Sequence, residues 1–216
     1  MVELTISSRG VELSPGGEVV LRHQTWDDYE SILHSRHGKA AVRVKYNAHT
    51  REIRLMAPLP KHANLSQSLS AIAQALLRHF GMDWQGFDPV TLKRFGEVGL
   101  EPDACFYIAN RHAILGKERI DLAEDPPPDL AIEVDETSAT RPEDYAPTRI
   151  GELWIYGDGQ LFIYVFDGHR YVERSESPIF PNLPLVEWIP KYLRRSWTSG
   201  SSVALREFEL ELSQRK

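Results

Sequence analysis

The segment that most limits how this chain can fold is 129–134, which reads Asp-Leu-Ala-Ile-Glu-Val. A nearly continuous apolar run of this length is typical of a strand that is buried on both faces at the centre of a sheet. A second apolar run, led by one acid, spans 103–108. We therefore predict an α/β (α+β) fold built on a mixed, strongly twisted β-sheet with helices on its faces.

Two helices are predicted before this central strand. Thr25 and Asp28 have the spacing of a capping box, which predicts a helix near 26–36. A longer helix is predicted near 62–80, because apolar residues recur there at intervals of four, three and four, and Gly81 is placed to end it. The residues at these intervals are Leu65, Leu69, Ile72 and Leu76.

Further strands and two closing helices are predicted from alternating or spaced apolar residues. Residues 42–55 form a β-hairpin pattern with one face buried and one in solvent, and another strand is predicted at about 89–95. The segment 153–174 has the pattern of an antiparallel meander with Gly-containing turns. Its aromatic residues are more typical of a core or a dimer face than of base stacking. Apolar spacing at 185–192 and 205–212 predicts the closing helices.

Length and patterning predict one domain. A chain of 216 residues with 42% hydrophobic residues is long enough for one sizeable core and short for two. Residues 1–17 end in Ser-Pro-Gly-Gly and carry little periodic apolar pattern, so we interpret them as an N-terminal arm. Residues 18–216 are then a single domain that includes the C-terminal helices.

The charge balance limits the class of partner. A formal net charge of −6 argues against a broad basic surface, so any contact with nucleic acid must be local. No apolar stretch reaches the roughly 18 residues of a membrane span, and the N-terminus lacks a signal-peptide core. Cys105 is the only cysteine, which excludes an internal disulfide and a thiolate zinc cluster. We expect a cytoplasmic protein with no membrane contact.

Two acids interrupt the otherwise apolar central strands. Asp103 leads into one strand, Glu133 lies near the end of the other, and Glu101 and Asp135 flank them. Burial of an unpaired carboxylate costs on the order of several kcal/mol, so two converging acids are best explained by a cation between them. Oxygen ligands favour Mg²⁺ or Mn²⁺, with water and phosphate at the remaining positions. The alternative is that both acids pair with nearby Arg or Lys residues.

A set of motifs in fixed order links this acid pair to a known family. They are Met-Ala-Pro at 56–58 with His62 after it, Glu-Pro-Asp-Ala-Cys-Phe-Tyr at 101–107, Pro-Pro-Pro-Asp-Leu-Ala-Ile-Glu-Val-Asp at 126–135, and Tyr145 ahead of Gly-Glu-Leu-Trp at 151–154. The whole resembles the bacterial Uma family of restriction endonuclease-like proteins, in the PD-(D/E)XK nuclease superfamily, from about residue 20 to 195. The resemblance implies a restriction-endonuclease-like fold, extended by the meander, and a nuclease activity.

The resemblance also assigns roles to individual residues. It makes Asp103 and Glu133 metal ligands, with the backbone carbonyl of Val134 as a further ligand. The superfamily lysine belongs two residues after the second acid, where this chain has Asp135. Arg141 stands where a basic residue of related members could take over that role. Since arginine stays charged, Arg141 would steady a phosphate rather than act as a base.

Several of these residues also have a simpler interpretation. Glu101 either assists water activation together with Asp135 or points into solvent ahead of its proline. Asp135 could instead cap a turn with Thr137 and Ser138. Arg141 could pair with its acidic neighbours as a solvated loop residue.

Two residues are weaker candidates for the site. His62 stands where a helix begins, and the histidines lack metal-ligand spacing, so a structural role is favoured for it. Glu52, on the predicted hairpin, could approach the metal from a third side.

The resulting functional prediction is Mg²⁺-assisted hydrolysis of phosphodiester bonds in nucleic acid, with DNA as the expected partner. Because cutting both strands of a duplex requires two sites, we also predict a homodimer. One alternative is an inactive nuclease-fold module that binds nucleic acid or a protein, favoured by the missing lysine and the acidic charge. An ion pair between Arg141 and Glu133 would support that module. A third possibility is a phosphoesterase that acts on a small substrate.

Overall fold

The computed structural model describes residues 2–6, 9–35, 42–136 and 139–215, and these form two sheets, a separate N-terminal hairpin and flanking helices. The elements are, in chain order, β1 (Val2–Ile6), β2 (Arg9–Leu13), β3 (Glu18–Leu21), α1 (Trp26–Ser35), β4 (Arg43–Asn47), β5 (Glu52–Met56), α2 (Pro60–His79), β6 (Gln85–Phe87), β7 (Leu92–Arg94), β8 (Val98–Leu100), β9 (Ala104–Tyr107), β10 (Leu130–Asp135), α3 (Pro142–Tyr145), β11 (Glu152–Gly157), β12 (Gln160–Phe166), β13 (Tyr171–Arg174), α4 (Leu185–Ser199) and α5 (Ser201–Ser213).

The larger sheet contains the predicted central strand. Its order is β13-β12-β11-β10-β9-β6, and β10 runs parallel to β11 and antiparallel to β9. All residues of β10 except the last are buried, as expected of a strand covered on both faces. The predictions of a central strand at 129–134 and of an antiparallel meander, which is β11–β13, are therefore confirmed.

Helices α2, α4 and α5 cover one face of this sheet, and they confirm the three helices predicted for these regions. Gly81 ends α2 as predicted: it adopts a left-handed conformation with φ of 64°, and its N–H donates to the Arg78 carbonyl at 3.1 Å. The meander side chains Trp154 and Tyr156 are buried in the same core, so they are core residues and not a stacking surface for bases. Within the described residues, no helix is both long enough and apolar enough to cross a bilayer.

A second sheet, separate from the first, has the order β3-β5-β4-β8-β7. The sequence predicted one sheet, and a second sheet is a feature that it did not predict. The strand predicted at about 89–95 is confirmed, although it does not span all of that range. It is the short strand β7, which turns and pairs with β8. Short strands of three residues offer too little alternation for their bounds to be recognised in a sequence.

Helix α1 packs on this second sheet and begins with the predicted capping box. The Thr25 N–H donates to Asp28 Oδ2 at 2.8 Å, and the Asp28 N–H donates to Thr25 Oγ1 at 3.2 Å. Such a cap stabilises a helix by about 0.5–2 kcal/mol. The buried side chains Tyr29 and Ile32 then join the core of the sheet.

The N-terminal segment differs from the unpatterned arm that the sequence predicted. Strands β1 and β2 pair antiparallel, and Leu13 is buried in the core of the second sheet. The Gly16 N–H donates to the Ala57 carbonyl at 2.7 Å, which fastens the segment to the end of β5. Backbone pairing satisfies N–H and C=O groups whatever the side-chain pattern is, so this hairpin left little trace in the sequence. A domain boundary at residue 17 stays a prediction.

The two sheets meet where β8 leads into β9. The link is Glu-Pro-Asp at 101–103, and the Asp103 N–H donates to the Ile132 carbonyl at 3.0 Å as the chain enters the larger sheet. Pro102 has no N–H to donate to a ladder, which suits a residue between two sheets. As a result, side chains of the β4–β5 hairpin face side chains at the end of β10.

Glu152 of β11 is a buried acid with a structural role. Its carboxylate accepts hydrogen bonds from Trp154 Nε1 at 2.6 Å and from the Ile179 N–H at 3.4 Å. Burial raises the pKa of Glu152 above its ordinary value of 4.5, although these hydrogen bonds and one from Ser177 oppose the shift. The folded state therefore holds this proton more tightly than the unfolded chain does.

We expect the substitution Glu152→Gln to remove a pH-dependent part of the stability. With a raised pKa in the folded state, the contribution of Glu152 is complete below pH 4.5 and is lost as the pH rises through the folded-state pKa. Urea unfolding of both proteins, from pH 4.5 through the neutral range, should show wild-type stability falling relative to the variant. The exposed Glu209→Gln serves as control; a wild-type minus variant difference that is constant with pH contradicts the prediction.

Candidate functional site

The two predicted acids lie side by side at the junction of the sheets. The register of β9 and β10 pairs Ala104 with Ile132, and one step further along it places Asp103 opposite Glu133. Both acids are buried, with relative exposures of 2% and 3%. Adjacent residues on paired strands project to the same side, so the structure brings the predicted acid pair together.

Asp103 is held by three groups from different elements. Arg43 Nη2 of β4 lies 2.7 Å from Oδ1, and His62 Nε2 of α2 lies 3.3 Å from Oδ2. The Val134 N–H donates to Oδ2 at 2.7 Å. Burial works against the charged carboxylate, but His62, Arg43 and the amide together outweigh it, so the pKa of Asp103 lies below its usual value. Asp103 is therefore ionised, and the contact from His62 is compatible with the structural role that the sequence favoured for this histidine.

Glu133 faces a cation and a phenol. Lys45 Nζ donates to Glu133 Oε1 at 2.6 Å, and the Tyr145 hydroxyl donates a short hydrogen bond to the same oxygen. Burial raises the pKa of Glu133, as does Asp103, while Lys45 opposes the shift. For Lys45, burial alone would lower the pKa, but Glu133, Asp103 and Asp135 raise it above its usual value. The lysine is therefore an ammonium group in direct contact with the second acid.

The arginine and the lysine that contact the two acids come from alternating residues of one strand, β4. Arg43 contacts Asp103, Lys45 contacts Glu133, and Asn47 Nδ2 donates to Asp144 Oδ1 at 2.8 Å. The sequence predicted one buried and one solvent-facing side for this hairpin; the buried side is confirmed, and the other side is only half-exposed because Arg43 and Lys45 turn toward the acids. The signal was present: two cations alternate on a hairpin in a chain whose two buried acids need counter-charges. The alternative in which both acids pair with Arg or Lys is the arrangement that the structure shows.

Glu101 is buried, so the solvent-facing alternative is wrong. Its exposure is 4%, and its carboxylate accepts hydrogen bonds from Thr91 Oγ1 at 2.7 Å and from the Val44 N–H at 3.2 Å. The Arg43 guanidinium also donates to the Glu101 carbonyl, at 3.2 Å. These contacts connect β4 to the link between the sheets, so Glu101 positions the strand that supplies Arg43 and Lys45.

Asp135 ends β10 beside Glu133 and binds the following loop. Its carboxylate accepts from the Thr140 N–H at 2.7 Å and from Thr140 Oγ1 at 2.8 Å. Burial raises the pKa of Asp135, against these two hydrogen bonds. The predicted turn with Thr137 and Ser138 lies outside the described residues.

Arg141 does not contact either central acid. Its guanidinium donates to Asp144 from two nitrogens, both at 3.0 Å, and lies 3.7 Å from Glu52 Oε2. The predicted pairing with acidic neighbours is thus confirmed. The cation paired with Glu133 is Lys45. The ion pair between Arg141 and Glu133, which would have favoured the binding module, is therefore replaced by one with Lys45.

The fold and the matched segment identify the family. A family model described as "Putative restriction endonuclease" (Uma2) matches residues 26–194, more than half of the chain. The chain belongs to the Uma2 family. A similar solved structure is that of a putative nuclease of DUF820 from Anabaena variabilis, with a TM-score of 0.51 and 14% identity, covering 84% of this chain and 98% of that one. At that identity the likeness shows the fold alone. No match to a curated protein was found.

In this Uma2 chain, Lys45 supplies the basic group beside the second acid that the sequence did not identify. The resemblance expected a lysine two residues after Glu133, where Asp135 stands. The structure places an ammonium group against the same carboxylate, but from β4 of the other sheet. Lys45 was missed because it neighbours Glu133 in space but not in the sequence.

The donor set at the junction fits a hard divalent cation. Among the residues described, no three His, Cys, Asp or Glu side chains converge to hold a metal ion. Mg²⁺, however, is commonly held by one or two carboxylates, with waters and substrate phosphate completing the shell. Asp103 Oδ1 is buried and, although Arg43 is near, makes no hydrogen bond of normal geometry. The two buried carboxylates fit Mg²⁺ or Mn²⁺ as ligands, since one of them has an oxygen that makes no hydrogen bond of normal geometry.

Beside the acid pair, an open cleft runs along the polar face of the β4–β5 hairpin. Lys45 and Tyr145 line it and donate to Glu133, which is not itself among the lining residues. Its opposite wall is the segment 139–145. Glu52, the predicted third approach to a metal, lies in this cleft and is paired with arginines instead.

Proposed function

We propose that this Uma2 chain is a Mg²⁺- or Mn²⁺-dependent nuclease that hydrolyses phosphodiester bonds of nucleic acid, with DNA as the expected substrate. The family and the fold support a nuclease. The observation that carries the metal-dependent step is the pair of buried carboxylates, Asp103 and Glu133, on adjacent strands with Lys45 in contact with the second. Buried acids that only stabilise the fold would be weakly favoured over apolar residues, so a ligand-binding role accounts for them better.

The proposed ligands are Asp103, Glu133 and the backbone carbonyl of Val134. When bound, the metal would lower the pKa of water and stabilise negative charge on the phosphate under attack. The chain itself fixes the carboxylates: the Val134 N–H orients Asp103, and Tyr145 orients Glu133. Such preorganisation reduces the reorganisation needed during the reaction.

Lys45 is proposed to stabilise charge on the scissile phosphate. Its raised pKa keeps it an ammonium group, which donates hydrogen bonds and cannot accept a proton. The remaining acids that could accept a proton from water are Asp135 and Glu101. Asp135 is the better placed of the two because it follows Glu133 on the same strand and its pKa is raised by burial. Arg141, on the cleft wall, is proposed to contact phosphate.

One observation favours a second candidate, an inactive module of the same fold. Arg43 and Lys45 already neutralise Asp103 and Glu133, so the site can be stable without a metal. A small-substrate phosphoesterase remains the third proposal, while the homodimer and the cytoplasmic location remain predictions.

Metal binding tests the proposal directly. Calorimetric titration with Mn²⁺ should show binding by the wild type that is lost in Asp103→Asn and in Glu133→Gln, and plasmid DNA should be cut only by the wild type with metal. The matched control is Asp125→Asn, which removes another buried carboxylate in an ion pair, with Lys117, and should leave Mn²⁺ binding unchanged. A wild type that binds no metal would overturn the nuclease proposal in favour of the inactive module.

A further inference from the structure

Arg43 lies against the oxygen of Asp103 that is available to a metal. Its Nη2 is 2.7 Å from Asp103 Oδ1, and its Nη1 donates to the Glu101 carbonyl at 3.2 Å. Asp103 Oδ2, in contrast, accepts a hydrogen bond from the Val134 N–H at 2.7 Å. A metal bound by Asp103 would therefore take Oδ1. A guanidinium and a divalent cation on one buried oxygen repel each other strongly, so both cannot stay there.

The contact between Arg43 and Asp103 is close but poorly aligned. Although 2.7 Å separates the two atoms, Asp103 Oδ1 makes no hydrogen bond of normal geometry. The attraction is therefore between charges, without the directional part that a charge-assisted hydrogen bond adds. Lys45 differs, because its Nζ donates a hydrogen bond to Glu133 Oε1 at 2.6 Å. Of the two cations at the acid pair, Arg43 is the one that a metal displaces more easily.

Asp88 is a further carboxylate on the Asp103 side of the junction. It follows β6, whose last residue, Phe87, pairs with Cys105, two positions after Asp103. Ser70 Oγ of α2 donates to both oxygens of Asp88, at 3.0 and 3.3 Å. Asp88 therefore lies at the start of β9, where the chain leaves the link between the sheets.

The charges of Asp103 and Arg43 both act on Asp88. Partial burial raises the pKa of Asp88 and Ser70 lowers it; Asp103 adds to the increase, and Arg43 opposes it. Asp88 is also exposed, whereas Asp103 is buried, so a guanidinium beside Asp88 keeps contact with water. Asp88 is therefore a carboxylate that can receive Arg43 without leaving the arginine buried and unpaired.

We propose that Arg43 is the internal counter-ion of the metal-free site and that it moves from Asp103 to Asp88 when a divalent metal binds. The inference rests on the proposed function and adds how the site keeps its charge balance: one cation leaves the acid pair as another enters. Without metal, Arg43 prevents Asp103 from being a buried charge with no compensation. The metal competes with Arg43 for Oδ1, which lowers the apparent affinity of the site for the metal.

The test is calorimetric titration with Mn²⁺ of four proteins: the wild type, Arg43→Gln, Asp88→Asn and the double variant. Arg43→Gln should bind Mn²⁺ about tenfold more tightly, because the metal loses its competitor. Asp88→Asn should bind it about tenfold more weakly, because the displaced arginine loses its acceptor. In the Arg43→Gln background the effect of Asp88→Asn should largely disappear, since no arginine is displaced. Equal weakening in both backgrounds would make Asp88 a metal ligand and overturn the inference.

Thermal unfolding gives a second readout that does not depend on cleavage. In EDTA, Arg43→Gln should be less stable than the wild type, because Asp103 lacks its cation. A fixed concentration of Mn²⁺ should then raise the Tm of this variant by more than it raises that of the wild type, since tighter binding stabilises the folded state more. Equal increases would contradict the exchange and leave Arg43 a purely structural partner of Asp103.

The matched control is Arg94→Gln. The Arg94 side chain is 19% exposed, against 12% for Arg43, and it also contacts a carboxylate, that of Glu97, and a backbone carbonyl, that of Pro147. This control should bind Mn²⁺ as the wild type does. Should Arg43→Gln fail to fold, Asp88→Asn still tests the inference, because residue 88 is exposed; an unchanged affinity in Asp88→Asn would overturn it. Absence of Mn²⁺ binding in the wild type and in every variant would instead be the failure of the proposed function.

Discussion

Replacing Lys45 with methionine is expected to slow phosphodiester cleavage about 10²–10³-fold, while Mn²⁺ still binds. The reason is that Lys45 supplies a positive charge at Glu133 from the other sheet and is not itself a proposed ligand. Methionine keeps much of the side-chain length but removes the charge. Because the ammonium no longer competes for Glu133, Mn²⁺ affinity should stay equal or rise. Single-turnover cleavage and calorimetry on the same preparation separate the two effects.

The matched control for Lys45→Met is Lys61→Met. Lys61 Nζ also forms a 2.6 Å ion pair, with Glu136, but is more exposed and contacts neither proposed ligand. It should leave the cleavage rate close to that of the wild type. Arg141→Gln should reduce the rate less than Lys45→Met does. A Lys45→Met protein that cuts at the wild-type rate would indicate that Arg141, and not Lys45, stabilises the charge on the phosphate. Loss of Mn²⁺ binding in Lys45→Met would show that Lys45 has a structural role.

The second large effect concerns stability and follows from Gly99 in β8. A Cβ at this position would lie 2.3 Å from both Cζ and Oη of the buried Tyr29. Real structures do not tolerate such an approach, so either the tyrosine ring or β8 must move within a packed core. We expect Gly99→Ala to lower the free energy of unfolding by about 3 kcal/mol, the upper end of overpacking costs.

Urea denaturation of four proteins measures this effect: the wild type, Gly99→Ala, Tyr29→Leu and the double variant. If the clash is the cause, shortening residue 29 removes part of it, and the double variant is more stable than the sum of the two single effects predicts. Additive effects would show that the alanine acts through the strand backbone and not through the tyrosine.

The sequence predicted those parts of the structure that depend on the spacing of residues close together in the chain. The helix over 62–80, its end at Gly81 and the capping box at Thr25 each depend on residues within a few positions of one another. The central strand is recorded in its own apolar run. Asp103 and Glu133 could be paired because an acid within such a run is conspicuous on its own.

The parts that were missed depend on contacts between distant segments. Lys45 is 88 positions from Glu133, and its alternation with Arg43 on a hairpin does not say which acids the two cations contact. Arg141 was chosen because it stands where a basic residue of related members could take over the role of the lysine, but in the structure it pairs with Asp144 and Glu52. The solvent-facing alternative for Glu101 failed for the same reason, since the groups that bury it come from β4 and from Thr91.

The alternating contacts of β4 have a consequence for how the chain folds. A slip of this strand by one residue would turn Val44 and Tyr46 toward Asp103 and Glu133 and leave two carboxylates without counter-charges. Most strands are held in place by their apolar side alone. In β4 the polar side also disfavours the shifted pairing, because a buried charge without a partner costs more free energy than a misplaced apolar side chain does. The residues that are proposed for catalysis therefore also specify the register in which β4 meets the larger sheet.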